Sequence, residues 1–279
     1  MAASYRKEYI MKKFSRVLGL FLCIALALSL SVTAFAAQTS TIDVTEINKG
    51  YFTVSYDDPA NVKMKVGVTY NGKTNYLDYA ANTDARYSVT GDGAYTITLY
   101  RNISGNAYST VTGVTVNVQL EDKLLPYLVS TTEVTFSEGD AVSTKAAELC
   151  EGLTETKDKA MAIYNYIAGT YKYDFMFAYA VMKGSVTTYI PNTVELMEKN
   201  RGVCIDFSAL FAAMCRSQGI ACAVATGYIP NGYHAWNMLW VDEQWVAIDM
   251  TNAITKRVKN VTSFETCVVS LENYSNYSF

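Results

Sequence analysis

A single histidine, His234, occurs in a chain of 279 residues that carries 22 tyrosines and 23 basic residues. It lies in the stretch NGYHAWNMLW, between Tyr233 and Ala235. A lone imidazole is more often structural than catalytic, so its meaning depends on what the chain can bring beside it. Acyl-transfer chemistry asks for two partners: a nucleophile for the ring to deprotonate and a carboxylate to fix its tautomer. Cys204 and Asp249 fit those parts. Cys204 opens CIDFSALFAAMCRSQ after Gly202 and Val203, and a helix start stabilises a thiolate through its unpaired N–H groups and positive dipole end. His234 opens one strand and Asp249 closes the next, with a tight turn at Asp242 and Glu243 between them. Antiparallel pairing can then bring ring and carboxylate together near one edge.

Each of these residues also has a plainer use. Cys204 could be one more buried thiol, and Asp249 could cap the turn into Thr251 and Asn252. Asp206 is expected to accept from amides at the helix start and is given no catalytic part. The three tryptophans, Trp236, Trp240 and Trp245, all fall in this region. They serve either as core or as a wall shielding the ion pair. The joint placement of thiol, imidazole and acid, more than any one of them, raises the catalytic reading.

The elements that must position these residues are legible in the periodicity. In TETKDKAMAIYNYIAGTYKYD, Ala160, Ile163, Tyr164, Ile167 and Tyr171 recur at helical spacing, which predicts one buried face. In the cysteine helix Phe207, Leu210, Phe211, Met214 and Cys215 share one side, and Gly219 stands where a glycine ends a helix. IACAVATGY, HAWNMLWV and QWVAIDM then read as an antiparallel meander joined by short turns. TTEVTF, residues 131–136, reads as a short strand. The segment FMFAYAVMKGSVTTYIPN has few breakers beyond Gly184 and Pro191; one wall of a substrate groove and ordinary core packing are equally compatible with it.

From about residue 41 to 120 the chain alternates in steps of two, as in GYFTVSYDD, VKMKVGVTY, NYLDY, GAYTITLYRN and VTGVTVNVQL. Asn71-Gly72 is a strong hairpin signal, because both residues tolerate the positive φ of a type I′ turn. An immunoglobulin-like β-sandwich is the economical architecture, used as a spacer or attachment module or for ligand binding. The period changes near Leu125 and Pro126, giving expected domains of 38–121 and 122–279. Residues 1–37 read as a secretory leader: a basic stub, an apolar run and an A-x-A site at Ala34 and Ala36. The run is short for a spanning helix, so no stable membrane span is expected after cleavage, and the protein is expected to be secreted or held at the cell surface.

Losing the leader removes five basic residues and one acid, so the formal charge falls from -3 to -7. With no basic stripe left, nucleic acid is not an expected partner. Outside the leader stand five cysteines, Cys150, Cys204, Cys215, Cys222 and Cys267. An odd count leaves at least one thiol free or paired outside the chain, and whether the other four pair is open. No C-x-x-C occurs and only one histidine is present, so no metal site and no cofactor are expected.

Taken together, GVCIDFSALFAAMCRSQGI, the Gly-Tyr at 227, Tyr-His-Ala-Trp at 233 and Trp-Val-Ala-Ile-Asp at 245 resemble the core of the transglutaminase-like superfamily, a branch of the papain-like cysteine hydrolases. The likeness is specific over residues 200–250 and looser back to Tyr127. It implies an α+β domain with the cysteine helix packed on an antiparallel sheet, with Cys204 as nucleophile, His234 as general base and Asp249 as its orienting partner. It further implies an aromatic oxyanion donor upstream of the cysteine, for which Tyr173 and Tyr171 are candidates beside the Cys204 amide. The expected partner is a protein or peptide substrate, cell-wall peptides included, attacked at an amide bond. Hydrolysis is slightly favoured over transamidation, since excluding water demands a specially shaped tunnel. The competing reading is a non-catalytic module that binds peptide or holds the β-domain at a surface.

Overall fold

In a computed structural model, which describes residues 41–258 and 260–279, the strands of the first half pair as two antiparallel sheets. The expected leader lies outside the described residues. One sheet joins β1 (Thr41–Asp43), β2 (Tyr51–Ser55) and β5 (Asp84–Ser88), and the other follows the order β4-β3-β6-β7. Its members are β3 (Met64–Tyr70), β4 (Lys73–Tyr79), β6 (Gly93–Ser104) and β7 (Ala107–Val118). Alternation explains the burial: Phe52 and Val54 from one sheet and Val66, Tyr95, Ile97 and Leu99 from the other share one apolar core. The hairpin between β3 and β4 turns at Asn71 and Gly72, whose φ values are 49° and 74°, as a type I′ turn requires.

Residues 131–136 do not form the expected strand. The alternation of TTEVTF is overridden by local hydrogen bonds: the Thr131 hydroxyl accepts the Val134 N–H at 3.2 Å and the Thr135 hydroxyl donates to the Thr131 carbonyl at 3.2 Å. Threonine side chains here close a turn that competes with extension. The segment touches β5 at one point, where the Thr132 N–H donates to the Arg86 carbonyl at 2.8 Å and the Arg86 N–H donates to the Thr132 hydroxyl at 2.8 Å.

Helices α1 (Ala141–Leu149), α2 (Thr156–Thr170), α3 (Phe175–Met182), α4 (Thr193–Lys199), α5 (Cys204–Ser217) and α6 (Met250–Thr255) follow. In α2 the expected positions Ala160, Ile163, Tyr164 and Ile167 are buried, and Tyr171 beyond its end is buried too. The cysteine helix α5 differs from the expectation of one buried side, for every residue from Asp206 to Arg216 is buried. The reason is its position: it packs against α1, α2, α4 and α6 and against two strands of the second-half sheet. Alanine and serine on its sheet side allow close approach, close enough for Asn237 to donate to the Ser208 carbonyl at 2.9 Å. Gly219, at φ 73°, ends it in the left-handed conformation.

The sheet under α5 has the order β12-β11-β10-β13, made of β10 (Cys222–Ile229), β11 (Gly232–Val241), β12 (Gln244–Ile248) and β13 (Ser275–Ser278). The first three are the expected meander; β13 adds a fourth strand on the far edge of β10. A separate two-stranded parallel pair, β8 (Lys172–Tyr173) and β9 (Arg201–Gly202), sets Tyr173 opposite Gly202.

Candidate active site

The first turn of α5 is built around Asp206. Val203, the residue before the helix, has no side-chain acceptor, and its own N–H donates to Asp206 Oδ2 at 2.8 Å. Asp206 also accepts the Tyr189 hydroxyl at 2.7 Å. Burial pushes its carboxyl above the ordinary aspartate value, further than the hydrogen bonds from Tyr189 and Val203 pull it back. Gly202 is required here by space: a Cβ on it would stand 2.8 Å from Asp206 Oδ2 and 2.8 Å from Leu196 Cδ1. The bond to Asp206 therefore fixes the chain just before Cys204, and Cys204 keeps partial exposure while the other four described thiols are buried.

His234 is the third residue of β11 and only 6% exposed. Its Nε2 lies 3.0 Å from Asp249 Oδ2, and Cys204 lies near enough to favour the charged ring. Of the three residues singled out by type and spacing, His234 and Asp249 are in direct contact, and Cys204 acts on the ring through its proximity. Burial works against the charged ring, but the hydrogen bonds and charges of Asp249 and Cys204 outweigh it and raise His234 from 6.5 to about 9. An imidazolium at neutral pH is the outcome. Trp236 is fully buried with its ring centroid 6.2 Å from that of His234 at an interplanar angle of 20°, so core packing and shielding of the imidazole are the same contact.

Asp249 follows β12 and starts α6. Its Oδ1 accepts the Asn252 N–H at 3.0 Å while Oδ2 faces His234. Burial would raise this carboxyl; the hydrogen bond and charge of His234, the Asn252 amide and the Tyr274 hydroxyl hold it below the ordinary value instead. The turn-capping role and the pairing with histidine are both present, one on each oxygen.

The two upstream tyrosines separate. Tyr171 is buried in the helical core, with its hydroxyl 3.4 Å from that of Tyr166. Tyr173 is nearer the thiol: burial raises its hydroxyl, and the adjacent Cys204 and Asp206 raise it further. Its ring centroid is 6.3 Å from Phe207 of α5 and 4.9 Å from Phe175 of α3. Helix α3 itself contributes nothing to the core. Phe175, Met176 and Met182 are 71%, 77% and 79% exposed, which overturns the core-packing alternative for this segment. Beside the first turn of α5 lies a cavity of about 190 Å³. It is lined in part by Phe177, Tyr189, Glu195, Gly202 and Asp206, and not by Cys204, His234 or Asp249. Among the described residues no three His, Cys, Asp or Glu side chains are grouped to hold a metal ion.

Residues 143–250 match the model of the transglutaminase-like superfamily. Among solved structures it is similar to a protein of Cytophaga hutchinsonii assigned as a cysteine protease, at 16% identity and a TM-score of 0.41, covering 77% of this chain and 73% of the other. It is also similar to a TGase, at 18% identity and a TM-score of 0.36, covering 60% of this chain and 45% of the other. For red sea bream transglutaminase the identity is 10%, the TM-score 0.34, and the coverage 72% of this chain and 48% of the other. The chain thus spans less than half the length of either transglutaminase. No curated protein matches it.

Proposed function

We propose that this protein is an exported cysteine enzyme that cleaves or transfers amide bonds of protein or cell-wall peptide substrates, with Cys204, His234 and Asp249 as its catalytic triad. One observation carries the reading: a single buried imidazole pairs with a buried carboxylate and is raised further by a partly exposed thiol at a helix start. A purely binding surface has no use for that arrangement.

The Cys204 thiolate attacks the amide carbonyl, and the tetrahedral intermediate collapses as the His234 imidazolium gives its proton to the leaving amine. A thioester remains on Sγ and the ring is neutral. Water or a second amine then attacks the thioester carbonyl and gives a proton to the ring, and the thiolate leaves. The Cys204 N–H is one donor for the oxyanion, and Tyr173, the upstream tyrosine nearer the thiol, is the second. Asp249 keeps the ring in the productive tautomer and offsets the charge of the imidazolium. Hydrolysis is favoured over transfer because water always competes. The exposed apolar residues of α3 form a wall against which the substrate lies. In the first half of the chain, the shared core of the two antiparallel sheets supports an immunoglobulin-like sandwich that holds or spaces the enzyme outside the cell.

Alkylation tests the central claim. Iodoacetamide is expected to modify Cys204 at neutral pH faster than a free thiol, and His234→Ala is expected to abolish that advantage and turnover while leaving the fold intact. Reaction at the rate of a free thiol in the wild type would remove the activated nucleophile. With a glutamine peptide and an amine donor, ammonia release in excess of amine incorporation marks the hydrolase, and equal amounts mark the transferase.

A further inference from the structure

The residues after the superfamily match, which ends at 250, return to the site. A short 3-10 turn at Leu271–Asn273 leads into β13, which pairs antiparallel with β10 at Thr226–Ser278 and Tyr228–Ser275. The approach depends on Gly227, where a Cβ would stand 2.7 Å from the Cβ of Tyr277 and 2.8 Å from the Ser275 carbonyl. Tyr274, at the head of this strand, packs edge-on against Trp236 with centroids 4.7 Å apart. Its hydroxyl donates to Asp249 Oδ2 at 2.7 Å, the same oxygen that faces His234.

We infer that Tyr274 is a positioning residue of the active site, a fourth member that fixes the carboxylate of Asp249 from outside the matched core. The inference rests on the proposed role of Cys204 and His234. The geometry is specific. Asn252 holds Oδ1 and Tyr274 holds Oδ2, so rotation of the carboxylate about its last bond would break both contacts. Oδ2 then presents a fixed acceptor to Nε2, which leaves the other ring nitrogen for the pairing with Cys204 proposed above. A hydrogen bond donated to a carboxylate also favours its ionised form, so the hydroxyl keeps Asp249 charged further into acid. The ionisable groups that face Asp249 are His234 from β11, Tyr274, and Tyr164 from α2, whose hydroxyl feels its charge. Tyr274 alone of the tyrosines in this group hydrogen-bonds the carboxylate.

The test is the rate constant for alkylation of Cys204 by iodoacetamide from pH 4 to 10 in wild type, Tyr274→Phe, Asp249→Asn and the double variant. Phenylalanine keeps the ring against Trp236 and removes only the hydroxyl. Tyr274→Phe is expected to lower the neutral-pH rate several-fold and move the acid limb to higher pH, with the melting temperature nearly unchanged. In the Asp249→Asn background the same change is expected to have no further effect. A Tyr274→Phe profile that overlays a fast wild type would overturn the positioning role, as would an equal fractional loss in the Asp249→Asn background. A wild type no faster than a free thiol defeats the nucleophile itself, a different result.

Discussion

The two carboxylate oxygens of Asp249 are bound by different parts of the chain, one by the amide of Asn252 at the start of α6 and the other by His234 and Tyr274. Substitutions there should separate architecture from chemistry. Asparagine caps a helix about as well as aspartate, so Asp249→Asn is expected to keep the cap and to lose only the stability its charge shares with His234, at most about 3 kcal/mol near neutral pH. It would still lower kcat by roughly two to four orders of magnitude, because a neutral amide favours the wrong tautomer and cannot offset the imidazolium. Asp249→Ala should lose the same activity and about 1 kcal/mol more stability than Asp249→Asn, the contribution of the cap. Thermal melts beside steady-state kinetics of both variants check this, and an active Asp249→Asn protein would remove the acid from the mechanism. At this scale Cys204, His234 and Asp249 were legible because each stands at an element boundary with recognisable periodicity on one side. Tyr274 was not. Its neighbours Glu272, Asn273, Ser275 and Asn276 are polar and show no period, and its role exists only through a contact 25 residues away.

Elements were legible where burial falls on one face. The helix α2 and the meander β10–β12 have such faces, and their residues lie where the spacing puts them. Periodicity fails for α3, which is apolar all round in sequence and exposed in the structure, since a helix without a polar face has no period to read. It fails in the opposite direction at 131–136, where alternating residues are folded by their own hydroxyls into a turn. Short pairs such as β8 and β9 are invisible for want of length, although they set Tyr173 opposite Gly202, two residues before Cys204. The exposure of α3 has a functional consequence under the proposed role. Replacing Phe175 and Met176 by serine is expected to raise KM about tenfold, the loss of roughly 1–2 kcal/mol of apolar contact, with kcat and melting temperature little changed. Unchanged KM across a set of peptide substrates would detach this helix from substrate binding.

Over the whole molecule, residues 40–279 form one compact unit in which Arg216 helps to join the parts. From the last turn of α5 it donates to the Cys222 carbonyl at the start of β10 at 2.8 Å and to the Val129 carbonyl of the connecting segment at 2.7 Å. The helix that bears Cys204 is thus fastened to the sheet that bears His234, and the charges of the His234–Asp249 pair contribute to global stability. His234 is raised from 6.5 to about 9, so the folded state binds its proton more tightly than the unfolded chain. That contribution, at most about 3 kcal/mol, is complete below about pH 6.5 and lost as pH climbs through about 9. Asp249 is shifted downward, so its contribution is present above its unfolded value and disappears in acid. The melting temperature of the wild type is expected to fall between pH 6.5 and 9 relative to His234→Gln, measured by calorimetry. Parallel curves for the two proteins would show that the ring carries no such linkage.

Since only one imidazole exists in the sequence, proton magnetic resonance can watch this chemistry without isotopic labels or assignment. Its two ring C–H signals can come from no other residue. The Nε2 proton, shielded from solvent and directed at Asp249, should resonate far downfield, and its disappearance during a base titration would mark where the couple gives up its charge.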